Sequence, residues 1–176
     1  VGTGRTAPRF ISESKYVSGL TIECAYNPVE ESAKRFEKRE KIKCYTGDYE
    51  EFLENVDAVY IASPNETHFE YAKKAIEAGK HVLSEKPLSF TKKESEVLYT
   101  SAKEKGVVLM EAVKAAYCPG FQQLINVAKS GKIGDIVDVE ASFTRLADPL
   151  SRERTDAEYG GAFLEFGPSV LVPVIK

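Results

Sequence analysis

Histidine occurs only twice in the sequence, at His68 and His81, and the three cysteines, Cys24, Cys44 and Cys118, are widely spaced with no CxxC pair. Such a set lacks the clustered ligands that a metal centre requires, so no metal site is expected. No apolar run approaches the ~20 residues of a bilayer-crossing helix, and no charged segment leads into an apolar one in the manner of a secretory leader. An excess of positive charge is missing too: 24 lysines and arginines face 27 aspartates and glutamates, a net charge of −3. That balance gives no basis for a nucleic-acid or anionic-membrane partner. With an odd number of scattered cysteines, the thiols are read as reduced and the compartment as cytoplasmic. What remains is the composition of an ordinary globular protein, 43% hydrophobic and 29% charged, long enough at 176 residues for one domain and part of another.

The chain opens on Gly2-Thr3-Gly4-Arg5-Thr6-Ala7, a GxGxxA pattern running straight into an amphipathic stretch from Ala7 to Tyr16. In such a loop the first glycine permits the tight turn, the second lets backbone approach a pyrophosphate, and the small third residue lets the helix pack on a strand. The anion then meets N–H groups at the positive end of the helix. Gly2, Gly4 and Ala7 are therefore candidate nucleotide contacts. Only Val1 precedes the motif, so the strand that should lead into it is absent from this sequence.

Residues 20–26 read as the next strand, and Asn27-Pro28-Val29-Glu30 as a helix start with Asn27 as its cap. The end of this strand faces the adenine ribose in a dinucleotide fold, where an acidic residue would bind the 2′-hydroxyl. Here the positions are Tyr26 and Asn27, with Glu23 inside the strand, and both NAD and NADP stay open. The lysines and arginines of residues 34–43, interleaved with Glu37 and Glu40, read as a solvated helix face. Short strands are expected at 42–45, 58–62, 81–84 and 107–110, and helices at 49–54, from Phe69 to Gly79, from the capping box Thr91-Lys92-Lys93-Glu94 to Gly106, and at 119–129. This alternation predicts a doubly wound parallel sheet with helices on both faces. After Gly134 the texture changes: residues 136–143 alternate apolar and polar in the manner of a half-wet sheet, 145–159 read as loop, and the apolar 170–175 as helix.

Within this frame Val82-Leu83-Ser84-Glu85-Lys86-Pro87-Leu88 is unusual, since an apolar run stops at a carboxylate and an amine. Burying an amine that has no task costs several kcal/mol, which makes Lys86 the leading candidate for chemistry.

Taken together, the glycine loop, the Ala62-Ser63-Pro64-Asn65 to His68 turn, Ala78-Gly79-Lys80-His81-Val82, Glu85-Lys86-Pro87, Glu111-Ala112 and Gly160-Gly161-Ala162 resemble the glucose-fructose oxidoreductase and inositol dehydrogenase family, Gfo/Idh/MocA. The resemblance implies an α/β fold, a Rossmann domain over 1–112 lacking its first strand. It also implies the start of an open-faced α+β domain over 113–176, so that a truncated chain is expected. It further implies an oxidoreductase using NAD or NADP on a sugar, polyol or related small molecule, and a homo-oligomer formed through the second domain. Ser63, Asn65 and His68 are expected along the cofactor, Glu85 and Lys86 at the nicotinamide ribose, and Lys86 at the carbon–oxygen bond being oxidised. Many members carry an aspartate and a histidine where this chain has Glu165 and Ser169, and an arginine and a histidine where it has Ala116 and Cys118. Proton transfer is accordingly expected through Lys86 with water, or through Glu165. The alternative is a nucleotide-binding sensor or regulatory module of the same fold with little or no turnover.

Overall fold

The computed structural model describes residues 1–146 and 148–175 and resolves them into two compact units, Val1–Glu111 and the residues from Ala112 on. Ala147, within the expected 145–159 loop, lies outside the described residues.

In the first unit helices and strands alternate: α1 (Ala7–Ser14), β1 (Cys24–Tyr26), α2 (Glu30–Glu40), β2 (Cys44–Thr46), α3 (Tyr49–Glu54), β3 (Ala58–Ile61), α4 (His68–Glu77), β4 (His81–Ser84), α5 (Lys92–Lys105) and β5 (Leu109–Glu111). Every strand pair is parallel, β1 with β2 and then β3 with β4 with β5. Parallel neighbours need a crossover, and α2, α4 and α5 supply it. The two sheets meet through the first two residues: Gly2 N–H donates to Tyr26 O (2.9 Å), Val1 N to Tyr60 O (2.7 Å), and Ala62 N–H to Val1 O (2.9 Å). Beyond that bridge an apolar cavity of about 580 Å³ separates β1 from β3, lined among others by Ile22, Ala25, Val59 and Leu83.

Apolar side chains on the two faces of the strands explain why the helices pack there. Val59, Ile61 and Val82 are buried with Ala72, Ala75 and Ile76 of α4 and Leu98 and Ala102 of α5. Ala7 and Ile11 of α1 are buried with Ala25, Phe36 and Ile42. Tyr26, Tyr49, Phe52 and Tyr71 form an aromatic cluster with ring centroids 4.8–5.9 Å apart. The capping box opens α5 as its residues dictate: Thr91 Oγ1 accepts from Glu94 N–H (3.2 Å) and Glu94 Oε2 from Thr91 N–H (3.0 Å), and Gly106 closes the helix at φ 67°.

Several expectations are corrected. The strand over 20–26 shrinks to Cys24–Tyr26, because β2 offers only three partners in register and Leu20 and Thr21 stay exposed. Asn27 is not the cap of α2, which starts at Glu30 after Val29; its Oδ1 instead accepts from Val29 N–H (2.9 Å). Cys24 and Cys44 were expected reduced, yet they form a disulfide, because register sets them opposite each other with Cα atoms 4.7 Å apart. Cys118 is a free, exposed thiol.

The second unit contains α6 (Lys114–Tyr117), α7 (Pro119–Lys129), α8 (Arg152–Thr155) and α9 (Ala162–Ile175). The strand expected at 136–143 does not form. All of these residues are exposed, no strand occurs in this unit among the described residues, and alternation without a neighbour to bond does not hold a strand. Helix α8 interrupts the expected loop. Helix α9 begins eight residues ahead of expectation and includes Gly167 and Pro168.

Candidate functional site

Three segments converge at the carboxyl ends of β1, β3 and β4: the glycine loop, the turn after β3, and the Glu85-Lys86-Pro87 run after β4. In open parallel sheets this edge, at the point where strand order reverses, is where ligands bind. The reversal here lies between β1, whose chain moves outward to β2, and β3, whose chain moves the other way to β4 and β5.

The loop's glycines differ in what surrounds them. Gly2 has φ 85°, and a Cβ there would lie 2.6 Å from Ala62 O, so the close packing of loop on turn requires glycine. At Gly4 a Cβ would meet no protein atom within 4 Å. Ala7 is buried under α1 as a small residue must be for that helix to pack, and no side chain caps the start of α1. The loop thus has open space at its second glycine beside a helix N-terminus, which fits a pyrophosphate. Asn27 closes the loop's other side, its Nδ2 donating to Thr3 Oγ1 (2.9 Å). Tyr26, in contrast, is a core residue at 6% exposure, its hydroxyl 3.2 Å from that of Tyr71. Glu23 is engaged by Lys43, whose Nζ lies 2.8 and 2.7 Å from the two carboxylate oxygens.

After β3, Ser63 and Asn65 are half-buried, and Thr67 Oγ1 lies 2.7 Å from both Ser63 Oγ and Pro64 O. His68 is almost fully buried, with Nδ1 2.8 Å from Pro87 O and Nε2 2.9 Å from Ser63 O. Both ring nitrogens are therefore directed at backbone, and the ring ties the Ser63 turn to the Lys86-Pro87 segment. His81 is structural, its Nδ1 accepting from Val108 N–H (2.9 Å).

The Lys86 segment is fastened on every side that the structure describes. Glu85 N–H donates to Ile61 O (2.8 Å), Glu85 Oε1 accepts from the Tyr60 hydroxyl (2.5 Å), and Glu111 Oε1 accepts from Leu88 N–H (3.0 Å). The Lys86-Pro87 peptide is cis. Burial, reinforced by the bond to Glu85, pushes the Tyr60 hydroxyl well above the usual tyrosine range and keeps it a donor. Lys86 itself is half-buried. Glu165 belongs to α9 in the second unit, half-buried, its backbone N–H donating to Gly161 O (3.1 Å).

Sequence reasoning missed Tyr60 and Phe10 as parts of this arrangement, and named Glu111 only within the Glu111-Ala112 pair, not as the acceptor of Leu88 N–H. Tyr60 and Phe10 read there as apolar faces of a strand and a helix, and nothing in their spacing reveals that the rings stack with centroids 3.9 Å apart. Among the described residues no cluster of histidine, cysteine and carboxylate suits a metal ion, and no helix is long and apolar enough to cross a membrane.

A family described as an oxidoreductase family with an NAD-binding Rossmann fold matches residues 1–113. The chain is 38% identical over 139 residues to dTDP-3,4-didehydro-2,6-dideoxy-alpha-D-glucose 3-reductase of Actinomadura kijaniata, covering 77% of this chain and 41% of that protein. It is 34% identical over 166 residues to the scyllo-inositol 2-dehydrogenase (NADP(+)) IolU of Bacillus subtilis, covering 93% of this chain and 48% of that one. The crystal structure of KijD10, a 3-ketoreductase from Actinomadura kijaniata in complex with NADP and TDP-benzene, superposes with a TM-score of 0.84 at 33% identity, over 94% of this chain and 52% of that one. The chain thus spans less than half the length of these two sequence relatives.

Proposed function

The chain belongs to the Gfo/Idh/MocA oxidoreductase family, and from that premise we propose that it works as an NAD(P)-dependent oxidoreductase on a hydroxyl or carbonyl carbon of a sugar, polyol or related small molecule. The observation that carries this reading is the convergence of the glycine loop, the Ser63 turn and the Glu85-Lys86-Pro87 run on one edge of a parallel sheet.

A bound nicotinamide would supply the hydride acceptor or donor. The chain's own residues do the rest. Gly2, Gly4 and the start of α1 hold the pyrophosphate, Ser63 and Asn65 line its path, and His68 keeps the turn and the Lys86 segment together. Hydride leaves an alcohol carbon only as its oxygen loses a proton, so Lys86 Nζ is the group to hold that oxygen and pass the proton on. Glu165 is proposed as the second proton carrier. NADP is favoured over NAD by the tip of β1, where Asn27 stands in place of a carboxylate and Glu23 is taken up by Lys43. The NADP(+) in the name of the IolU relative and the NADP bound to KijD10 support that choice. Association through the second unit is proposed from its exposed Ile136, Val137, Val139 and Phe143.

The deciding experiment is Lys86→Ala. Turnover on a panel of cyclic polyols and keto sugars is expected to fall by ~10²–10⁴-fold while NADPH still binds. Full turnover in the variant would remove Lys86 from the chemistry.

A further inference from the structure

Tyr60 lies in the middle of β3, a strand whose neighbours Val59 and Ile61 are simple core residues. Its own side chain does two things at once. The ring stacks on Phe10, with centroids 3.9 Å apart and planes 18° from parallel, and Phe10 belongs to α1, the helix that the glycine loop opens. The hydroxyl donates to Glu85 Oε1 at 2.5 Å, and Glu85 immediately precedes Lys86. A phenylalanine would fill the same volume and keep the stack, so packing does not explain the hydroxyl. Its donation to a carboxylate is a charge-assisted bond in a half-buried setting, one of the stronger kinds.

We propose that Tyr60 is a positioning residue for Lys86: its hydroxyl holds the Glu85 carboxylate against the sheet and so, together with the Glu85 N–H bond to Ile61 O, fixes the backbone from which the Lys86 amine reaches the reacting oxygen. The stacked Phe10 ties the same geometry to the helix behind the glycine loop, so the two ends of the nucleotide site are set by one chain of contacts. Two further bonds complete the fixture on the far side of Lys86, His68 Nδ1 with Pro87 O and Glu111 Oε1 with Leu88 N–H, neither of which orients Glu85. Tyr60 is thus the side chain whose loss frees that carboxylate while leaving the remainder of the segment tied. The inference rests on the oxidoreductase reading for its functional consequence.

The test uses Tyr60→Phe, Glu85→Gln and the double variant, with two readouts. The first is turnover. Tyr60→Phe is expected to lower kcat about tenfold, as loss of a hydrogen bond to a charged group does, with KM for the nucleotide nearly unchanged. In the Glu85→Gln background the same substitution is expected to have almost no further effect. The second is the rate at which an N-hydroxysuccinimide ester acylates Lys86, read by mass spectrometry against the exposed lysines Lys92 and Lys129 as internal standards. That rate is expected to rise severalfold in Tyr60→Phe and to be equal in Glu85→Gln and the double variant. Unchanged Lys86 labelling, or a Tyr60→Phe loss that persists undiminished beside Glu85→Gln, would overturn the positioning role. A wild-type protein that binds no nucleotide would instead sink the oxidoreductase reading, and the labelling ratios would still decide the role of Tyr60.

Discussion

A β-carbon placed on Gly2 would come within 2.6 Å of the Ala62 carbonyl oxygen at a φ that L side chains rarely adopt, whereas one on Gly4 would touch no protein atom within 4 Å. The two substitutions therefore separate folding from binding. Gly2→Ala is expected to lose ~1–3 kcal/mol or more of stability, since the clash is with backbone and cannot relax by a rotamer change. Gly4→Ala is expected to melt at nearly the wild-type temperature and yet to lose NADPH affinity by at least tenfold, because only a ligand needs that space. Thermal melts paired with nucleotide titrations check both, and a Gly4→Ala protein that binds normally would place the pyrophosphate elsewhere. Asn27 is the matching test of coenzyme choice. Asn27→Asp keeps an acceptor for Val29 N–H and a partner for Thr3 Oγ1, so the loop is preserved while a charge is added. The expected outcome is weaker NADPH binding by about tenfold, ~1.4 kcal/mol, with NADH affinity maintained or improved, read from the ratio of the two dissociation constants.

At the scale of elements, legibility followed how local the determinant is. The α5 capping box needs only Thr91 and Glu94, and Gly106 needs only its own φ, so both ends of that helix were readable in sequence. Thr91→Ala is expected to cost ~1 kcal/mol, and with it a Tm fall of roughly 2–4 °C, measurable by circular dichroism. Strand limits depend on neighbours instead. Residues 20–22 have a strand-like pattern but no paired length of β2 beside them, and residues 136–143 alternate correctly yet stand exposed. Pairing of Cys24 with Cys44 is likewise a consequence of register across two strands, which no spacing along the chain encodes. The candidate site divides the same way. Gly2, Gly4, Ser63 and Lys86 were readable because each belongs to a short contiguous motif. Glu111 was legible only as part of the Glu111-Ala112 pair, not as the partner of Leu88 N–H, and Tyr60 and Phe10 were not legible at all, because their contacts exist only where β3, α1 and the Glu85 segment come together. His68 was readable as important, but the structure has its two nitrogens on backbone carbonyls.

Among the described side chains, folding displaces the titration of three tyrosines, Tyr26, Tyr49 and Tyr60, all in the first unit. Burial is the leading cause at each, with Tyr71 adding at Tyr26 and Tyr49 and the Glu85 carboxylate at Tyr60. In every case the folded state keeps the phenolic proton to higher pH than the unfolded chain, whose tyrosines titrate near 10.0. Below that pH both states are protonated and the contribution is intact. Above it the unfolded chain sheds protons that the folded one retains, so linkage favours unfolding and stability falls as pH rises. A melting temperature several degrees lower at pH 11 than at pH 8 is expected, with each 1 kcal/mol lost lowering it by roughly 2–4 °C. With no tryptophan in the chain, near-ultraviolet absorbance and circular dichroism report these phenols directly. Tyr49→Phe must then shrink the difference between the two pH values, because it removes one proton from the unfolded side of the balance while keeping the ring beside Tyr26 and Phe52. If the pH dependence is the same in wild type and Tyr49→Phe, alkaline loss arises outside the aromatic cluster, and the cluster's burial in the first unit does not govern it.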